Sequence, residues 1–163
     1  MTALNTRINQ AVALTRHEEY LAALTDFLDI FGGEDPPSAV MSAKTAEGLS
    51  FFGLCLALVS KKYKPAIELC KRAIELQFYN GDHHANLARV YVAAGNRKKA
   101  LETIEAGLKI HPEDEALIAV RNSLGVRARP PVPFLDRSHP INVTLGQARH
   151  AKKLADKDPR RKK

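Results

Sequence analysis

Three observations predict an all-α fold, a solenoid of helix hairpins. The segments Tyr63–Leu76 and Arg97–Ile110 align on each other with a shift of 34 residues. Ala66 falls on Ala100, Glu68 on Glu102, Cys70 on Ile104, Ala73 on Gly107 and Leu76 on Ile110. A period of that length belongs to helix–turn–helix units that bury their apolar faces only by stacking on neighbours. The second observation is the one-sided apolar stripe of helical spacing in residues 83–94, carried by Leu87, Val90, Tyr91 and Ala94. The third is punctuation: Pro65, Gly95-Asn96 and Pro112 stand where hairpin units of this size must start, turn and stop.

The third and clearest unit takes Asp82 as its expected N-cap. Its partner helix over Arg97–Ile110 turns Ala100, Leu101, Ile104, Gly107 and Leu108 inward, and Pro112 ends it. In the second unit, Leu49–Val59 precedes a short turn and Tyr63–Phe78 follows it, with an inserted residue expected near Ser60–Lys62. A first copy begins with a helix over Leu4–Thr15. Its second helix matches the next unit, Tyr20 on Tyr63, Ala23 on Ala66 and Phe27 on Cys70. The additional length falls in Gly32–Lys44: Gly32-Gly33 stops a helix, Asp35-Pro36-Pro37 caps the next, and that helix is expected from about Ser38 with Gly48 as a weak point. The repeats thus occupy about 4–37, 47–80 and 81–114. Residues 113–124 are amphipathic through Leu117, Val120 and Leu124 and are expected to shield the last repeat, ending at Gly125.

Charge divides the chain at the same place. Residues 1–125 hold 14 Lys/Arg and 15 Asp/Glu, a net −1, whereas residues 126–163 hold 11 and 3, a net +8. Electrostatic arguments about partners therefore concern the tail. That tail starts as a polyproline-biased stretch over Arg127–Pro140, continues as a short helix over Ile141–Ala155 and ends in a basic terminus expected to be unstructured.

Several classes of chemistry find no support. Cys55 and Cys70 sit inside apolar helical patterns, with neither a CxxC nor a His pair at ligand spacing, so buried reduced thiols and a reducing compartment are expected. Asp82-His83-His84 has no third ligand, and adjacent helical histidines point about 100° apart. No phosphate loop, HExxH or GxSxG pattern occurs, so neither catalysis, cofactor nor metal is expected. Met1–Arg7 does not lead into an apolar run, and the longest apolar stretch, Phe51–Val59, is far short of the roughly 20 residues that cross a bilayer. A cytoplasmic chain without a membrane partner is expected.

These spacings resemble the tetratricopeptide repeat superfamily. Counted from Gly81, the residues Leu87, Ala88, Tyr91, Ala100, Ile104, Gly107 and Pro112 fall on the signature positions of its 34-residue unit, and His84 takes the usual Trp place. Phe78 replaces the proline in the second repeat, and the first repeat matches in its second helix only. The resemblance covers about residues 4–124 and implies a right-handed superhelix whose concave face, lined by the first helix of each pair, holds a peptide or a partner's helix. The corresponding positions are Ile8 and Val12, then Phe51, Cys55 and Leu58, then Ala85, Arg89 and Val92, with Asn86 adjoining. Some members clamp a carboxylate there with Lys, Asn and Arg. Here only Arg89, with Asn86 beside it, is suited to one, so that clamp is not expected.

The resulting expectation is a protein–protein interaction module with an apolar groove, serving as adaptor, assembly factor or secretion-type chaperone. The alternative is a nucleic-acid- or ribosome-associated protein acting through the basic tail. Val132, Phe134 and Leu135 form an apolar island within that tail and are expected to make a contact, with the array or with another molecule.

Overall fold

Helical periodicity and helix punctuation dominate the structure as they dominate the sequence. The computed structural model describes residues 3–32, 42–125, 131–132, 134–136 and 139–157. Among these residues eight helices and no strand form: α1 Ala3–Arg16, α2 Tyr20–Phe31, α3 Ala43–Val59, α4 Tyr63–Leu76, α5 Gly81–Ala93, α6 Arg97–Ile110, α7 Glu115–Leu124 and α8 Pro140–Lys157. The chain divides into two compact units, Met1–Gly125 and Val126–Lys163.

In the first unit the helices pair as hairpins, α1 with α2, α3 with α4 and α5 with α6. The first helices also stack in series, α1 on α3, α3 on α5 and α5 on α7, while each second helix leans on the first helix of the following pair. This is the arrangement of an α-solenoid. The two aligned segments become α4 and α6, equivalent second members of successive hairpins.

Local chemistry sets the boundaries. Gly32, Gly95 and Gly125 stand at positive φ directly behind α2, α5 and α7, where a residue without Cβ closes a helix at least cost. Asn96 caps α6 through Oδ1, which accepts from the Lys99 N–H, and Asp114 caps α7 in the same way at Leu117. The α5 cap differs from the sequence expectation. Asn80, not Asp82, supplies the acceptor, and Asp82 N–H is the donor it satisfies. Helix α4 stops at Leu76, leaving Phe78 and Tyr79 in the connecting turn. The expected α3 start near Ser38, with the Asp35-Pro36-Pro37 cap, lies outside the described residues. The described helix is capped by Ser42 and runs unbroken through Gly48. A Cβ at Gly48 would come within 3.0 Å of the Phe31 ring and 3.2 Å of Ile8, so this glycine is a packing contact and not a weak point.

Helix α3 is buried nearly all round because α1, α2, α4 and α5 all touch it. Gly53 permits the closest approach: a Cβ there would lie 2.7 Å from both the Ala66 carbonyl oxygen and Cys70 Sγ. Phe27, Phe31 and Phe52 form an aromatic knot between α2 and α3, with ring centroids 5.7–6.2 Å apart. A smaller apolar cluster joins Ala85, Ala88, Ile104, Leu117 and Val120, which holds α7 against α5 and α6.

A polar pocket on the wall of first helices

The positions expected to floor a groove separate into two sets. Ile8, Val12 and Cys55 are core residues, enclosed where α1 and α3 pack. Leu58 is half-buried, and Val92 is exposed at the far end of α5. Phe51, Asn86 and Arg89, by contrast, come together around one cavity of about 410 Å³. Ile8, Val12 and Cys55 are absent from its walls because stacking consumes them. In a three-hairpin array every first helix but the outermost has neighbours on both sides, and burying apolar surface there is worth roughly 25 cal/mol per Å².

The C-terminal end of α1 supplies Thr15 and Arg16, the adjoining turn supplies Glu18, the start of α2 supplies Tyr20, α3 supplies Phe51, and α5 supplies Asp82, Asn86 and Arg89. Glu18 sits at φ 64°, in the left-handed region, which makes the α1–α2 turn abrupt. Arg16 is held on several sides. Its Nη2 lies 3.0 Å from Asp82 Oδ2 and 3.9 Å from Glu47 Oε1, and its guanidinium carbon is 5.4 Å from the centre of the Phe51 ring. Phe51 is thus roofed by a cation instead of open to an apolar ligand.

Asn86 is 2% exposed, and its amide donates to Ser50 Oγ at 3.0 Å across the α3–α5 contact. This buried hydrogen bond fixes the floor. Arg89 on the next turn is exposed and makes no ion pair among the described residues. Tyr20 stands close enough to feel its charge. Burial raises the Tyr20 phenol pKa, the Glu18 carboxylate raises it further, and Arg89 pulls it back. Among the described residues the pocket accordingly offers a guanidinium without an ion pair, Arg89, and a protonated phenol, both hydrogen-bond donors. What it can do chemically is bind.

Neither cysteine lines the pocket. Cys55 accompanies Thr15 Oγ1 at 3.2 Å below the floor, and its burial pushes the thiol pKa up to about 11. Cys70 is raised further still, burial again being the main cause. Both thiols are free, protonated and inert at neutral pH. Among the described residues no group of His, Cys, Asp and Glu has the arrangement to hold a metal ion.

Sequence reasoning missed Arg16, Glu18 and Ser50. A signal for two of them lay in the period. Ser50 and Asn86 are 36 residues apart, near one repeat, and Arg16 and Asp82 are 66 apart, near two. Polar residues at such separations on successive first helices face one another across the stack. A second cavity, of about 460 Å³, lies between α4, α5 and α6, where Ile74, Leu87 and Tyr91 are flanked by Glu75, Lys99 and Glu102.

The tail residues Val132, Phe134 and Leu135 belong to the second unit. Val132 and Leu135 are half-buried and Phe134 is exposed.

The family model for the tetratricopeptide repeat matches residues 57–124, the stretch from the end of α3 through α7. Comparison with curated proteins gave no match. The repeats of this family mediate protein–protein interaction on a non-catalytic scaffold. With hairpins stacked in series and that match running from the last turn of α3 through α7, residues 57–124 carry the tetratricopeptide repeat pattern.

Proposed function

We propose that this chain is an adaptor or chaperone-like module that takes an acidic peptide segment on its wall of first helices. Arg89 is the primary contact. The carrying observation is the asymmetry between the two pocket arginines: Arg16 is engaged by Asp82 and Glu47, while Arg89 has no acid among the described residues. An exposed guanidinium beside a phenol and a buried amide suits a carboxylate, which accepts two parallel N–H bonds from arginine. The neutral charge balance of residues 1–125 gives little long-range attraction, so selectivity must come from this local pair.

The test is selection of peptides on the immobilised full chain from a random displayed library. Acidic sequences should be enriched, and Arg89→Glu should weaken the selected peptides by about tenfold or more. Unchanged affinity in Arg89→Glu would remove the pocket from the binding role. The alternative, nucleic-acid association through the basic tail, predicts steep salt dependence and indifference to residue 89.

A further inference from the structure

The second unit inverts the usual distribution of polar and apolar groups. Its buried centre is Asn142, 4% exposed on the first turn of α8. The Asn142 amide nitrogen donates to the carbonyls of Val132, Leu135 and Asp136, each at 3.0 Å, and its Oδ1 accepts from the Val132 N–H at 2.8 Å. One side chain, its two amide hydrogens shared among three carbonyls and its oxygen accepting once, therefore folds the preceding segment back onto the helix. Four large apolar side chains of the unit are exposed instead. Phe134 is 87% exposed, and Ile141, Val143 and Leu145 are 43–47% exposed. Ile141 and Leu145, four residues apart, share a helix face. Four exposed large apolar residues in a stretch this short are a surface awaiting burial, and they lie in a segment of net charge +8.

From these observations we infer that residues 126–163 form a peripheral docking element for bilayer faces rich in anionic headgroups. Phe134, Ile141 and Leu145 enter the headgroup–acyl boundary, the net charge of +8 draws the segment to anionic headgroups, and Asn142 holds Phe134 in position beside α8. Charge complementarity selects an anionic surface, and exposed apolar groups beside basic ones are the composition of interfacial helices. The apolar set is mostly aliphatic, which suits acyl chains better than the base stacking that single-stranded nucleic acid uses. The sequence expectation of no membrane partner rested on the absence of a span. No helix among the described residues is long and apolar enough to cross a membrane, and lying on a surface requires neither.

The experiment is co-sedimentation of the full chain with two sets of vesicles, phosphatidylcholine alone and phosphatidylcholine with about one-third phosphatidylserine. The wild type should bind the anionic vesicles and leave the neutral ones largely unbound. Phe134→Ser, at a site too exposed to matter for folding, should weaken binding about tenfold. Asn142→Ala should weaken it as well, although Phe134 is still present. Phe78→Ser removes an aromatic exposed on the first unit and should change nothing. The inference is overturned if neither vesicle binds. It is equally overturned if Phe134→Ser binds as well as wild type, since the attachment is then purely electrostatic. Binding to polyuridine but not to anionic vesicles would transfer the tail to nucleic acid, again against the inference.

Discussion

The two units of this chain acquire order by opposite means. Met1–Gly125 is organised by apolar burial, with Phe27, Phe52, Ile8 and Leu49 almost fully enclosed. Val126–Lys163 has too few residues to enclose such a core, and a single asparagine with four hydrogen bonds takes its place. Apolar burial is non-directional and accumulates over many residues. A hydrogen-bonded pin is directional and concentrated in one. The first produces a wall that tolerates variation, and the second fixes one local conformation while leaving large apolar side chains exposed.

The sharpest way to break this comparison is to remove one ring of the aromatic knot. Phe52 packs against both Phe27 and Phe31 and is fully buried. Phe52→Ala should cost about 3–5 kcal/mol, the sum of lost transfer energy and the cavity left behind. Urea unfolding followed by circular dichroism reads this as a lower midpoint. A loss below about 1 kcal/mol would mean that apolar burial is not what orders the first unit.

His83 is a polar residue inside that unit and sharpens the comparison by exception. It is fully buried, with Nε2 3.3 Å from Gln77 Oε1 and Nδ1 without a partner in the described structure. Burial lowers its pKa to about 4 from 6.5; Glu47 opposes the shift and His84 adds to it. The unfolded chain therefore binds a proton that the folded one refuses between those two values. Stability is full above about pH 6.5 and is lost as pH falls toward 4, by an amount on the order of 3 kcal/mol. His83→Gln should flatten the stability profile in that window, measured as unfolding midpoint against pH. Should the wild-type slope persist in the variant, another group is responsible.

The fold was legible wherever one residue type has one structural use. The aligned segments became α4 and α6, α6 with its expected boundaries and α4 ending at Leu76, short of the expected Phe78, and Gly95-Asn96 turned and capped the chain as its chemistry requires. The pocket was legible only in part. Phe51, Asn86 and Arg89 were placed on the right helices, but whether an apolar residue faces a groove or a neighbouring helix depends on how many helices surround it. Sequence period does not state that for Ile8, Val12 or Cys55. Asn142 carried no signal at all, since its partners are backbone carbonyls and any residue supplies those.

The smallest expected effect belongs to the most conspicuous ion pair. Arg16 and Asp82 join α1 to α5 at 3.0 Å, across the mouth of the pocket, with side chains 58% and 39% exposed. Water and salt screen a pair so placed, and ordering two side chains offsets most of the attraction. A double-mutant cycle on Arg16→Ala and Asp82→Ala should therefore give a coupling below about 1 kcal/mol at physiological salt. A larger value would show that the pair ties the outer first helices together as strongly as their packing does. The cycle has a second readout in peptide affinity. Removing Asp82 frees Arg16 from its nearest acid, so Asp82→Ala should bind acidic peptides more tightly than wild type, by a few-fold. If Asp82→Ala weakens them instead, Asp82 is itself a contact, and the pocket recognises a donor beside the carboxylate.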